Sequence, residues 1–369
     1  MATIQSVKDK IQGLIDKSNE ATGGSDMDLT TAIDNLIANQ GGGEVPKEKL
    51  VNFWDYDGTL LYSYTLAEAR ALTSLPPLPV YKEETRFYAT KWTKTLEEVK
   101  SVIAFLDVTV QVTHATSSSR IYCCVAVFDI SRTLDNVIEL YISKPSSSQI
   151  VYVDWGDGSK ATLIGTGTST ITKHTYPSRK RYTVFISSDS TGIRLGGNTS
   201  TYMFTKQGNA LVSFLGGDGY IPQNYAFSTN TNLKFIYLAT PTTVNNYILY
   251  RCYSLRVAIC DFLNSTSCFE QCYSLERIRI PLPQNNTVFT SCNNLNKILI
   301  TESTGSLTSM TGAVRTLFIT ASSVITYSAS ITVGRIIYVN DDLVDSYKSA
   351  TGWVDHASYI FPISSYTDE

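Results

Sequence analysis

Leu255-Arg-Val-Ala258-Ile-Cys260, Leu275-Glu-Arg-Ile278-Arg-Ile280 and Leu295-Asn-Lys-Ile298-Leu-Ile300 write one phrase three times, apolar-x-x-apolar-x-apolar, at a step of 20 residues. A cysteine stands three residues before each leucine: Cys252, Cys272 and Cys292. The last two apolar positions of the phrase are two apart, so on a strand they point to the same face. Neighbouring strands lie about 4.8 Å apart, and a fixed period therefore sets each apolar residue on its counterpart in the next coil. One coil cannot bury its own face; only a stack can. A period of roughly 20 to 29 residues around this core is the mark of a solenoid.

The array extends both ways. Leu233-Lys-Phe-Ile236-Tyr-Leu238 precedes Leu255 by 22 residues, and Leu211-Val-Ser-Phe214 lies another 22 upstream. Val314-Arg-Thr-Leu317-Phe-Ile319 and Val333-Gly-Arg-Ile336-Ile-Tyr338 follow at steps of 19. About six coils exceed the three or so that a stack needs. The half-coils Cys268-Phe-Glu-Gln-Cys272-Tyr-Ser-Leu275 and Val288-Phe-Thr-Ser-Cys292-Asn-Asn-Leu295 resemble BspA-type leucine-rich repeats, in which an aromatic is followed by a cysteine and then a leucine. The resemblance implies a recognition surface, not a catalytic one. Tyr237, Tyr250, Tyr253 and Tyr273 are the candidate ligand contacts. Tyr253 and Tyr273 hold equivalent turn positions, so simple mutual stacking is the alternative.

Bulk composition narrows the classes. A chain of 369 residues suggests two to three domains. Charged residues are only 17%, whereas 23 tyrosines and 14 phenylalanines make the chain rich in aromatics. A net charge of −3 leaves no electrostatic footprint for nucleic acid or an anionic membrane. A surface of Ser, Thr, Tyr and Asn suits adaptable hydrogen bonding to glycans or proteins. The opening Met1-Ala-Thr-Ile-Gln-Ser-Val-Lys is polar, so no export signal is expected. No apolar run reaches the roughly 18 residues of a membrane span. The seven cysteines are an odd number, and those at matched coil positions read as a column of small buried thiols rather than disulfides or metal ligands. Cys123 and Cys124, adjacent in the apolar run from Ile121 to Phe128, face opposite ways on a strand and are not expected to pair. No cofactor and no metal is implied.

Residues 1–40 predict a helical hairpin for anchoring or oligomerisation. Ile4, Val7, Ile11 and Leu14 form one stripe and Leu29, Ile33, Leu36 and Ile37 a second, parted by Gly23-Gly24. Stripes this short need a partner: each other, copies in neighbouring subunits, or a docking protein. The glycines and proline of 41–49 then read as a linker.

Residues 50–100 open with Val51-Asn-Phe-Trp-Asp55-Tyr-Asp57-Gly58-Thr59-Leu60-Leu61, which resembles the first motif of haloacid-dehalogenase phosphatases. That resemblance implies Asp55 as nucleophile and Asp57 as acid/base, with Asp341-Asp342 as a metal-binding pair. The same chemistry needs a parallel sheet with helical crossovers, and between 101 and 340 helical patterning is almost absent. Asp57-Gly58 also reads as a hairpin turn between Val51–Trp54 and Leu60–Tyr64. Strand, D-G turn, strand, short helix and Leu75-Pro-Pro-Leu-Pro79 resemble the small β-grasp-like internalin B-repeat. The usual G-Y-x-F-x-G-W is replaced here by Thr85-Arg-Phe-Tyr-Ala-Thr-Lys-Trp92.

Residues 101–198 predict six strands: Ile103–Val112, Arg120–Phe128, Val137–Ile142, Ile150–Trp155, Ser169–His174 and Tyr182–Ile186. Val151-Tyr-Val-Asp-Trp155-Gly-Asp157-Gly158, with His174-Thr-Tyr176, resembles the PKD sandwich, which implies structural roles for Trp155, Asp157 and Tyr176. Calcium at Asp154 and Asp157 is the alternative, although a hard cation wants six or more oxygens. Residues 199–369 are the solenoid, closed by a helix in 341–353 with Leu343, Val344 and Tyr347 inward and Trp353 behind it.

The expected class is therefore mainly β: a helical hairpin, a β-grasp-like module, a PKD-like sandwich and a leucine-rich-repeat solenoid with a cap. This order resembles appendage proteins of tailed phages. It implies a non-enzymatic virion fibre or decoration protein, released by lysis and therefore independent of an export signal. The implied partners are other virion proteins, a host-surface protein or glycan, and copies of itself, a trimer by preference. A bacterial cell-surface adhesin is the alternative.

Overall fold

Strand β1 (Val51–Trp54) buries Val51 and Phe53 on one face, and the Asp55–Thr59 turn reverses it into β2 (Leu60–Tyr64). Gly58 adopts φ +81° there, and a Cβ on it would meet Phe235 Cβ at 2.6 Å, so both backbone and neighbour require glycine. Two five-residue helices, Leu66–Arg70 and Leu96–Lys100, each open on a capping box, Thr65 with Glu68 and Thr95 with Glu98. Between them runs β3 (Phe87–Trp92), and β4 (Leu106–His114) follows. β4 lies parallel to β1 and antiparallel to β3, giving the order β2-β1-β4-β3. The strand expected at Ile103–Val112 thus completes the first sheet instead of starting the next module. Its Val108 and Val110 are buried in one cluster with Phe53, Trp92 and Val99.

The computed structural model describes residues 49–366, apart from 83–85, 116, 118–119, 121, 145, 147, 164–169, 197–203, 208, 240–245, 261–266, 282–287, 302–305, 308–313 and 328–334. The expected helical hairpin, with Ile4, Val7, Ile11, Leu14, Leu29, Ile33, Leu36 and Ile37, lies outside the described residues.

The next strands are β5 (Tyr122–Asp129), β6 (Val137–Ser143), β7 (Val151–Asp154), β8 (Lys160–Leu163), β9 (Thr170–Thr175), β10 (Arg181–Ser188) and β11 (Ile193–Leu195). After them come β12 (Leu211–Gly216), β13 (Tyr220–Pro222), β14 (Phe235–Leu238) and β15 (Val257–Ile259). Seven of these form one sheet, β15-β14-β12-β5-β10-β7-β8, faced by a second in the order β13-β11-β6-β9. Ala126, Phe128, Leu140, Val153 and Ile186 fill the space between. The expected boundary at 198 is crossed by this sheet: β12 pairs antiparallel with β5 and parallel with β14. β5 and β12 are buried on both faces, which is why β5 reads as a nearly continuous apolar run and β12 as one interrupted only by the buried Ser213. Cys124 faces the sandwich core and Cys123 the opposite cluster, and neither is in a disulfide.

The solenoid continues through β16 (Arg277–Ile280), β17 (Lys297–Ile300), β18 (Ser306–Leu307), β19 (Thr316–Ile319), β20 (Thr326–Tyr327), β21 (Ile336–Val339) and β22 (Ile360–Pro362). It makes about five turns. Ile236 pairs with Ala258, Ile278 with Ile298 and Ile298 with Leu317, as the repeat predicts. At the last coil, however, the inward residue is Ile337, paired with Leu317, and the expected Ile336 is exposed, a slip of one residue that turns each side chain to the other face. Between β15 and β16 the ladder stops and a new five-stranded sheet, β16-β17-β19-β21-β22, begins. The turn half of the coil stays in step across this break: Leu249 N–H donates to Cys268 O at 3.1 Å and Arg251 N–H to Glu270 O at 2.9 Å. At the far end Tyr347 and Trp353 are fully buried, and the Trp353 indole donates to Ile325 O at 2.8 Å. Helix Val344–Ser349 is thus a cap. Asp341, in the short turn Asp341–Leu343 that leads into this helix, accepts from Ser364 N–H at 3.0 Å.

The first module lies across the outward face of these strands. Phe87 meets Phe185 at 5.1 Å, Trp54 meets Phe235 at 6.1 Å, and Phe105 meets Phe318 at 6.2 Å between ring centroids. Ile259 and Leu215 join the cluster beneath Phe87, and Leu299 joins the one beneath Phe105. The strand face of the solenoid is therefore occupied by the protein's own N-terminal sheet.

Candidate recognition surface

Four coils turn through a left-handed residue placed just before the thiol position. Thr229, Arg251, Gln271 and Ser291 have φ of 58°, 62°, 62° and 62° and precede Asn230, Cys252, Cys272 and Cys292. The conformation aims backbone N–H groups along the stack: Thr229 donates to Tyr250 O at 2.8 Å, and Gln271 to Thr290 O at 2.8 Å. The thiols bond the other way. Cys252, Cys272 and Cys292 donate to the carbonyls of Phe227, Leu249 and Phe269 at 3.0, 3.2 and 2.9 Å. Turns pinned in both directions hold the side chains between them in fixed positions.

Those side chains are tyrosines. Tyr225 and Tyr247 stack with centroids 4.8 Å apart and planes at 4°, and Tyr250 meets Tyr247 edge-on at 5.8 Å. The Arg251 guanidinium lies 4.8 Å above the Tyr250 ring. Tyr253 and Tyr273 stack at 5.1 Å and 13°, with Tyr273 38% exposed. Three of the four expected contacts, Tyr250, Tyr253 and Tyr273, thus share the turn edge. Tyr237 does not: it points to the covered strand face, beside a cavity of about 290 Å³ that Cys123 and Asp218 also line. Tyr225 and Tyr247 were missed by motif reading, yet they recur at a step of 22, the same spacing that separates Leu233 from Leu255.

The remaining candidates have structural partners. Trp155 stacks on His174 at 5.0 Å, His174 Nε2 lies 2.7 Å from Asp157 Oδ2, and the Tyr176 hydroxyl donates to Trp155 O at 3.1 Å. Burial works to raise the Asp157 carboxyl, but the His174 and Ser159 N–H bonds outweigh it and hold it below the usual range. Asp154 pairs with Arg86 at 3.2 Å, so each carboxylate of the calcium alternative already faces a nitrogen partner. No group of three or more His, Cys, Asp or Glu fit to hold a metal occurs among the described residues. Asp55 accepts from the Tyr81 hydroxyl at 2.6 Å, and burial raises its carboxyl. Asp57 accepts from Thr59 N–H at 2.9 Å within the turn.

No protein-family model and no curated protein matches this chain. Among the described residues no helix is long and apolar enough to cross a membrane.

Proposed function

We propose that the protein is a non-enzymatic component of a tailed-phage particle, a fibre or decoration protein that docks by its N-terminal helices and presents its coils to a host-surface protein or glycan. The observation that carries this reading is the pinned tyrosine edge, rigid and turned to solvent while the strand face is covered. Rigid amphipathic rings supply contact area at little entropic cost, as binding surfaces require. Three likenesses support the assignment: the β2-β1-β4-β3 order with its central parallel pair fits a β-grasp-like module, the Trp155–Tyr176 corner fits a PKD-like sandwich, and the thiol coils fit BspA-type repeats. The docking end would hold copies of the chain together, a trimer by preference.

Two measurements test the proposal. Antibody-gold labelling of purified phage particles should decorate the capsid or tail; labelling confined to the envelope of uninfected bacteria would favour the cell-surface adhesin instead. Labelled full-length protein should bind host cells, and the triple substitution Tyr250→Ser, Tyr253→Ser, Tyr273→Ser should abolish that binding while the chain still melts in one cooperative transition, lowered only by the lost ring contacts. Undiminished binding by the triple variant overturns the role given to this edge.

A further inference from the structure

The Asp55–Thr59 turn stands over one end of the seven-stranded sheet and leaves a cavity of about 390 Å³ beneath it. Trp54 and Tyr56 form an aromatic wall with the buried Phe235 behind it, while Arg181, Lys234 and Arg256 bring three cations to the same space. Among the described residues of this lining Asp57 is the only carboxylate. The cations arise from the sheet order: Arg181 opens β10, and Lys234 and Arg256 stand at equivalent positions before β14 and β15, 22 residues apart. Like charges on neighbouring strands repel, a cost that persists until an anion arrives. The Lys234 ammonium has no hydrogen-bond or ion-pair partner among the described residues. Arg256 meets Glu276 at 3.3 Å in an exposed pair of the kind that contributes little and exchanges readily. Arg181 meets Asp129 only at 3.9 Å, a carboxylate already held by Ser131 and Arg132. A neighbouring cavity of about 510 Å³ shares Tyr56, Arg181 and Thr183 and adds Lys180, so the cleft has room for more than one ring.

We propose that this cleft binds an anionic saccharide, with its ring against the aromatic wall and its carboxylate or phosphate on Lys234 and Arg256. Arginine offers a planar fork to such an anion and lysine a point charge, and aromatic faces accept the apolar side of a pyranose. The cleft lies on the strand side and shares no residue with the tyrosine edge, so it stands or falls independently of the particle assignment.

Calorimetric titration of the full chain with glucuronic acid, N-acetylneuraminic acid and glucose 6-phosphate, against glucose and inorganic phosphate as controls, tests this directly. At least one acidic sugar should bind saturably and more tightly than either control, the carboxylate and phosphate arms showing which acid the site takes. Lys234→Ala and Arg256→Ala should each weaken it roughly tenfold or more. Tyr253→Ser should leave it unchanged. Both cations are exposed, and Lys234→Gln provides a second variant of nearly equal size. The proposal is overturned if no acidic sugar binds, if a control binds as tightly, or if the Lys234 and Arg256 variants bind as well as the parent chain.

Discussion

A thiol is a weak donor, yet Cys252, Cys272 and Cys292 each reach a carbonyl of the preceding coil from a fully buried position. Cysteine suits the site because it is small, apolar enough for a dry core, and still satisfies one backbone acceptor. Cys272→Ala removes both volume and donor and should lower stability by about 1–3 kcal/mol, read as a shift in the urea midpoint. Burial pushes the Cys272 thiol well up and that of Cys292 to about 12, so these groups are poor nucleophiles while the fold is intact. Asp157 makes a different residue-scale prediction. Its carboxyl is lower in the folded chain than its unfolded value of about 3.9, so its contribution is complete above that value and is lost as pH falls through the folded one. Asp157→Asn should therefore be destabilising at neutral pH and progressively less so in acid. Urea midpoints taken at descending pH would show the two curves converging; parallel curves contradict the assignment.

Between elements, the decisive joint is Asp107 on β4 against Arg277 on β16. The guanidinium donates to Asp107 through Nη2 at 2.9 Å and Nε at 3.2 Å, and the Trp54 indole donates to the same carboxylate at 2.9 Å. The two side chains are only 15% and 12% exposed, so removing one partner strands the other. Arg277→Ala should cost about 2–4 kcal/mol, and a double-mutant cycle with Asp107→Asn should return a coupling of about 1–3 kcal/mol. Additive effects would show that the contact carries no energy of its own. Much at this scale was legible beforehand. Period-two apolar spacing placed Ile236, Ala258, Ile278, Ile298 and Leu317 on one inward column, and the rungs bear that out within each sheet, though not between Ala258 and Ile278, where the ladder is broken. The burial of β5 on both faces was written in its unbroken run. What covered the outer face was not, because pairing of β4 with β1 joins residues 55 apart and leaves no local signature. Tyr237 was grouped with the turn tyrosines for the same reason: its pointing out of the stack could be read, but the return of the chain over it could not.

At the scale of the molecule, the described residues fall into a single compact unit rather than separate beads. The core runs unbroken from Val151 in the sandwich through Phe214 and Leu275 to Trp353 in the cap. One cooperative melting transition is therefore expected for this region. A chain beginning at Tyr122, without the first module, would bare Phe185, Phe235, Ile259, Leu299 and Phe318 together. Such a patch exceeds what a soluble monomer tolerates. That shortened chain should bind the dye ANS and self-associate on size-exclusion chromatography; if it stays monomeric and melts as the parent does, the covering sheet is dispensable.

Because that sheet spans rungs from β14 to β21, it acts as a ruler laid along the stack. Open-ended solenoids gain and lose units by slippage with little penalty. Here one extra coil would carry Phe318 out of reach of Phe105 while Phe235 stayed under Trp54. The number of rungs is thereby locked to the length of a neighbouring fold, and such a chain diversifies by exchanging side chains on its turns, not by growing.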